Sequence, residues 1–180
     1  MAAVVQSGAF IKDEAASVPA HPAMRVGHVH LKVADLERSI TFYRDVLGLD
    51  VIQRAPAGTV AFLSVGGYHH HIALNTRESL GGTPPPPGHT GLVHVAFVYP
   101  DRKALARAYK RVADRGIAIR GADHGVSEAL YFSDPDGNGI ELYWDCPRER
   151  WTYVDGGILN VAMSESFDPT ILLEELAATP

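Results

Sequence analysis

The chain has 180 residues, 46% of them hydrophobic, and a formal net charge of −5, which fits one compact domain, or two small modules sharing a core, with no need of covalent staples. Its single cysteine, Cys146, excludes an intramolecular disulfide framework and fits a reducing compartment. No lysine- or arginine-rich run exists, which argues against nucleic acid or an anionic membrane surface as partner, since both need a clustered basic face.

Residues 1–24 form an N-terminal extension whose short apolar pieces are interrupted by Lys12, Asp13 and Glu14, so no signal-peptide h-region is expected there. No apolar run approaches the length of a membrane span. The expectation is a soluble, cytoplasmic protein.

From residue 25 the chain repeats itself. "GHVHLKVADLERSITFYRDVLGL" aligns with "VHVAFVYPDRKALARAYKRVADRGI" at an offset of 66, placing His28 on His94, Val29 on Val95, Asp35 on Asp101 and Tyr43 on Tyr109. Each copy opens on an alternating run. Val29, Leu31 and Val33 share one face and His28, His30 and Lys32 the other, the period of a strand with one buried side. Asp35 then stands as an N-cap before Leu36, Ile40, Tyr43 and Leu47 at helical spacing, and Gly48 follows as the C′ residue. The second copy offers Asp101, then Leu105, Ala108 and Val112, then Gly116. Short strand-like pieces come after each helix: "TVAFLSV" and "HHIALN" first, "EALYFS" and "GIELYW" second.

The predicted fold is therefore α+β, with two tandem βαβββ modules forming one half-open mixed β-barrel with helices outside. Module 1 spans residues 25–80 and module 2 residues 92–146. Between them "GGTPPPPGHTG" (81–91) is a semi-rigid connector, because its four prolines suit neither a helix interior nor a central strand. Residues 147–180 form a C-terminal extension ending in "DPTILLEEL", an expected short amphipathic helix able to pack on the domain or on a second subunit. "DPDGNG" (134–139) matches the opening of a calcium-binding EF-hand loop, but Asp145 replaces the twelfth-position Glu and Pro147 blocks an exiting helix. A tight turn between strands is the better reading.

The last strands of the modules register at an offset of 68: Ile72 on Ile140, Leu74 on Leu142 and Ala73 on Glu141. If Ile and Leu face the helices, Ala73 and Glu141 point to the face that carries His28 and His94. Two symmetry-related imidazoles and one carboxylate then converge, a facial triad of metal ligands with open positions that suits Fe(II), and also Mn(II) or Zn(II). A single strand histidine is more often an ordinary polar residue; the internal symmetry is what singles out this pair. Glu141 between two apolar residues would be costly to bury without a partner or a metal. His30 shares the face of His28, but its counterpart is Ala96, so it is expected beside the site rather than on the metal.

"HVHLKVADLERSITFYRDVLGL", the second "HVAFV" and "ALYFSDPDGNGIELYW" resemble the vicinal-oxygen-chelate superfamily, and within it the catechol 2,3-dioxygenase-type ring-cleavage enzymes. The resemblance covers residues 25–146. It implies His28, His94 and Glu141 as ligands of Fe(II), or alternatively Mn(II). It also implies Tyr131, ten residues before the Glu, as an active-site tyrosine, His70 as the acid–base group and His124 as a further active-site histidine. Strict alternation along "HHHIAL" would instead favour His69 and His71 for the inward face. Many enzymes of this type carry a second, inactive pair of modules; this sequence has one pair.

The implied function is cleavage of a catechol-type aromatic diol with O2, with His70 moving protons to and from the substrate, in a homodimer or larger homo-oligomer. Two alternatives compete. A glyoxalase- or epimerase-like lyase or isomerase would need a fourth ligand at the position held by Ala73, with His69 or His71 as the only nearby substitutes. A resistance-type protein that sequesters a small molecule would have no need of His28, His94 and Glu141 together.

Overall fold

The computed structural model describes Val18 and residues 20–154, 158–161 and 165–177; most of the N-terminal extension lies outside them. Module 1 runs β1 (Val29–Lys32), α1 (Leu36–Asp45), β2 (Asp50–Arg54), β3 (Val60–Ser64) and β4 (Ile72–Asn75). Module 2 repeats the order with β5 (His94–Tyr99), α2 (Arg102–Ala113), β6 (Arg120–Asp123), β7 (Ser127–Ser133) and β8 (Gly139–Asp145).

Each helix begins where the sequence places its cap. Asp35 accepts a hydrogen bond from the Arg38 amide and Asp101 one from the Ala104 amide, each worth about 1 kcal/mol. Each ends at a glycine in the left-handed region, Gly48 at φ 78° and Gly116 at φ 69°, a conformation that costs other residues strain. The apolar helical positions face inward as their spacing requires: Leu36, Ile40, Tyr43, Leu105, Ala108 and Val112 are buried in one continuous core. Its sheet side consists of Leu31, Leu63, Ile72, Leu74, Leu130, Ile140 and Leu142.

The strands form two mixed sheets, ordered β1-β4-β3-β2 and, for module 2, β6-β7-β8-β5. In both modules the first strand pairs in parallel with the last: Val29 opposite Ile72, and Val95 opposite Ile140. Neither sheet closes on itself among the described residues, in keeping with a half-open barrel. The outer strand β2 carries a register shift between Val51 and Gln53, a bulge that blunts an exposed edge.

The segment after Cys146 does more than form the expected helix. After a short hairpin of β9 (Tyr153–Val154) and β10 (Ile158–Leu159), β11 (Glu165–Phe167) pairs antiparallel with β6 and becomes the fifth strand of the second sheet. This close approach needs Gly121, where a Cβ would lie 2.5 Å from the Phe167 carbonyl oxygen. "DPTILLEEL" is mostly a 3-10 turn (Pro169–Leu173), followed by one turn of α-helix, α3 (Glu174–Ala177). Asp168 caps it through the Thr170 amide. It packs on α2 of the same chain, with Leu172 fully buried and Arg102 bridging Glu128 at 2.7 Å and Glu175 at 2.5 Å.

The modules are latched by the turn that imitates a calcium loop. Asp134, buried, accepts bonds from the amides of Asp136 and Asn138 and from the buried Tyr43 hydroxyl of α1 at 3.0 Å. Asp136 accepts from the Ala34 amide at 3.0 Å, the Ser39 hydroxyl at 3.2 Å and the Arg38 guanidinium at 2.5 Å. At the other end of α1, Arg111 of α2 donates to the Val46 and Leu47 carbonyls, both at 2.9 Å, satisfying acceptors that a helix end leaves open.

Deleting the Asp134 carboxylate orphans several buried donors at once. Asp134→Ala is expected to cost about 3 kcal/mol and Tyr43→Phe about 1 kcal/mol, read as shifts of the urea unfolding midpoint at unchanged slope.

Candidate active site

Strand register assembles the polar face of module 2. Ala96 on β5 lies opposite Glu141 on β8, Glu141 opposite Tyr131 on β7, and Tyr131 opposite Arg120 on β6. Residues directly opposite one another share a face, so Ala96, Glu141, Tyr131 and Arg120 form one transverse row. His94 stands two residues before Ala96 on β5, hence on the same face, opposite Gly139. That glycine has no substitute: a Cβ there would lie 2.1 Å from the Val93 carbonyl oxygen and 3.0 Å from the Cβ of His94.

The side chains along this row are joined. His94 Nε2 lies 2.9 Å from Glu141 Oε2, the Tyr131 hydroxyl donates to Glu141 Oε1 at 2.8 Å, and His124 Nε2 is 2.8 Å from the Tyr131 oxygen. A carboxylate only accepts, so the phenol proton points at Glu141 and His124 donates to the phenol oxygen from a protonated Nε2. Glu141 is 9% exposed, and both of its oxygens are partnered, which makes burying its charge tolerable. Burial raises the Tyr131 pKa, and the Glu141 hydrogen bond and charge raise it further, with Arg120 partly opposing them. Tyr131 is thus a neutral O–H donor at any physiological pH. The Arg120 guanidinium carbon sits 4.4 Å from the centroid of the Tyr131 ring.

The corresponding row of module 1 has no carboxylate and no phenol. His30 lies opposite Ala73, Ala73 opposite Phe62, and Phe62 opposite Gln53. Ala73 is 1% exposed and has no donor atom. Beside this row stands the histidine run. β4 begins only at Ile72, and residues 66–71 make bends and a turn, so strict alternation fails before the strand starts. His70 lands on the face of His28, with ring centroids 4.3 Å apart, and packs 5.0 Å from the Phe62 ring. His69 bonds His70 through their Nδ1 atoms at 2.7 Å, while His71 turns to the Ser64 hydroxyl at 2.7 Å. Burial, and then the charges of His28, His69, His30 and His71, lower the pKa of His70.

Of the expected site residues, the structure joins His94, Glu141, Tyr131 and His124 in one chain of contacts, and groups His28 with His70. It does not bring these two groups together: among the described residues no three His, Cys, Asp or Glu side chains close on a common metal position. Two of the expected donors nevertheless fit a divalent cation. Their separation of 2.9 Å matches the roughly 3 Å edge between neighbouring donors bonded at about 2.1 Å. Nitrogen and oxygen donors suit Fe(II), Mn(II) and Zn(II) alike. Tyr131 takes Oε1 of Glu141, so a cation at Oε2 would replace the direct His94–Glu141 contact. Arg120 and Phe62 escaped the sequence reading; carrying the face alternation across β3–β4 and β6–β7 would have placed both.

This fold, built from two modules around a polar row, places the chain in a family. It belongs to the glyoxalase/bleomycin resistance protein/dioxygenase superfamily, whose family model matches residues 25–142. It is 43% identical over 131 residues to catechol-2,3-dioxygenase of Bacillus subtilis (strain 168), a match covering 73% of this chain and 45% of that relative. The chain thus spans less than half the length of that relative. It is 35% identical over 159 residues to biphenyl-2,3-diol 1,2-dioxygenase 3 of Rhodococcus globerulus, covering 86% of this chain and 83% of the relative. Among solved structures, a glyoxalase/dioxygenase from Nostoc punctiforme aligns with a TM-score of 0.58 at 28% identity, over 74% of this chain and 100% of that one.

The raised pKa of Tyr131 has a direct spectroscopic consequence. In an ultraviolet titration monitored at tyrosinate absorbance, the native protein and Tyr131→Phe should ionise the same number of tyrosines up to pH about 11. An extra tyrosine titrating in the native protein near pH 10 would contradict the assigned O–H···Glu141 bond.

Proposed function

We propose that the protein is a metal-dependent extradiol dioxygenase that opens the ring of a catechol-type diol with O2. The family by itself includes glyoxalases and resistance proteins. The observation that favours ring cleavage is the asymmetry of the two rows: Glu141, bonded by Tyr131 and backed by His124, against Ala73 beside Phe62. A four-ligand lyase or isomerase site would draw a donor from position 73, and alanine has none. The similarity to two named diol dioxygenases points the same way.

In this reading His94, Glu141 and His28 hold the metal. His28 is exposed just before β1, so its side chain can turn away from His70 without disturbing the core. His94 would offer Nε2 to the metal in the tautomer that carries its proton on Nδ1. Fe(II), or Mn(II) in its place, would supply Lewis-acid binding of the diol and the redox chemistry that O2 requires.

The remaining work belongs to side chains. His70, kept neutral by burial and its histidine neighbours, accepts the proton of a diol hydroxyl and returns it later. Phe62 and His69 fix its ring. Tyr131 holds a proton at its hydroxyl, 2.8 Å from Glu141, and would donate it to a substrate oxygen by turning it from the carboxylate. His124 fixes that hydroxyl from behind.

Anaerobic loading with Fe(II), followed by catechol and air, should give a yellow ring-fission product and O2 uptake. Absence of both across simple and aryl-substituted catechols would sink this reading. Glu141→Ala should abolish stoichiometric metal binding by elemental analysis, and His28→Ala should weaken it at least about tenfold. His70→Ala should keep the metal and lose about 10²- to 10⁴-fold in kcat; loss of the metal instead would make His70 a ligand.

A further inference from the structure

His124 backs the Tyr131 hydroxyl at 2.8 Å, yet it belongs to no strand. It sits half-buried in the turn between β6 and β7, its amide donating to the Ser127 carbonyl at 2.9 Å. The next residue, Gly125, takes φ 73° and donates its amide to Asp123 Oδ1 at 2.7 Å. The Asp123 carboxylate therefore closes the backbone around His124.

Asp123 carries an electrostatic load. Glu165 on β11 stands directly opposite it on one side, and Glu128 on β7 on the other. Three carboxylates thus lie side by side, on the face of β7 that carries Leu130 into the core. Like charges directly opposite one another repel. Glu128, 8% exposed, is answered by Arg102 at 2.7 Å, but that guanidinium also serves Glu175 at 2.5 Å. Arg150, in the 3-10 turn Arg148–Arg150, reaches both arms of the hairpin: Nη2 lies 4.0 Å from Asp123 Oδ2, and Nη1 3.9 Å from Glu128 Oε1. These are charge contacts longer than hydrogen bonds, made across the base of the turn by a half-exposed side chain. Arg150 lies beyond the residues 25–142 that the family model matches. The C-terminal segment, and not the paired modules, supplies this cation.

We propose that Arg150 is a positioning residue for His124: it offsets the repulsion at Asp123, keeps the turn closed and so holds the imidazole against the Tyr131 hydroxyl. That His124 then matters for turnover rests on the ring-cleavage reading; that Arg150 holds it in place does not.

The test uses the full-length protein, labelled with ¹⁵N at histidine and loaded with diamagnetic Zn(II), and reads the tautomer of His124 from its ring nitrogen shifts. The native protein should show His124 fixed with its proton on Nε2, a signal absent from His124→Gln. Arg150→Met should let that signal average between tautomers, and Arg150→Lys should largely preserve it. Asp123→Asn keeps an oxygen for the Gly125 amide and removes the charge, so the double variant Asp123→Asn/Arg150→Met should regain the native signal. With Fe(II) and catechol, Arg150→Met should lower kcat about three- to tenfold at unchanged metal content. Adding Asp123→Asn should restore kcat to within about twofold, and Arg150→Met should cost nothing further in a His124→Gln background. A native His124 without a fixed tautomer, or one unmoved by Arg150→Met, makes the proposal wrong. So does failure of Asp123→Asn to restore it. Equal losses of kcat with and without His124 also overturn it, since Arg150 then acts elsewhere. If the native protein cleaves no diol, the ring-cleavage function fails, and the nitrogen shifts still decide the role of Arg150.

Discussion

A parallel ladder between β5 and β8 holds the candidate site together. It sets Gly139 against His94 and Glu141 against Ala96, which brings Nε2 and Oε2 within 2.9 Å. The side-chain period of a strand is two, so a slip of one residue would send Glu141 into the apolar core and Ile140 toward the histidine. Ile140 and Leu142, both 1% exposed, make that slip prohibitively costly. The hydrophobic core therefore aims the carboxylate, although it touches none of the chemistry.

The same ladder exists in module 1, and there it carries something else. Val29 opposite Ile72 repeats Val95 opposite Ile140, so the backbone is duplicated while the inward row has diverged. Module 2 carries the charged and proton-bearing groups, and module 1 an apolar wall with a histidine cluster at its end.

Holding two open sheets in a fixed relation needs contacts outside the sheets. The turn 134–139 provides them by spending its carboxylates on the start of α1 and on Tyr43, while Arg111 closes the far end of the same helix. Sequence spacing made this turn look like a cation loop, yet its Asp side chains are already saturated by amides and hydroxyls. The C-terminal segment adds a second brace on the outer side of module 2, where β11 covers the edge of β6.

Much of this was legible in the residues alone. The duplicated pattern, both Asp caps, both glycine stops and the helical core positions follow from local propensity and periodicity, which act over a few residues. The alignment of Ala73 with Glu141 needed only the repeat and strand alternation, and it located the asymmetry of the site. Other features depended on contacts between residues far apart in the chain. β4 starts late, so His70 rather than a residue of matching parity reaches the face of His28. The chain His124–Tyr131–Glu141–His94 required side chains from a loop and three strands to meet, and Arg120 entered the row only through the β6–β7 register. The C-terminal segment became a strand because β6 offered an unpaired edge. Sequence determined which way each short element faces, because that is decided by burial of neighbouring side chains. Tertiary structure decided which faces meet, because that is set by strand register and packing between modules, and neither is written in any single stretch of the chain.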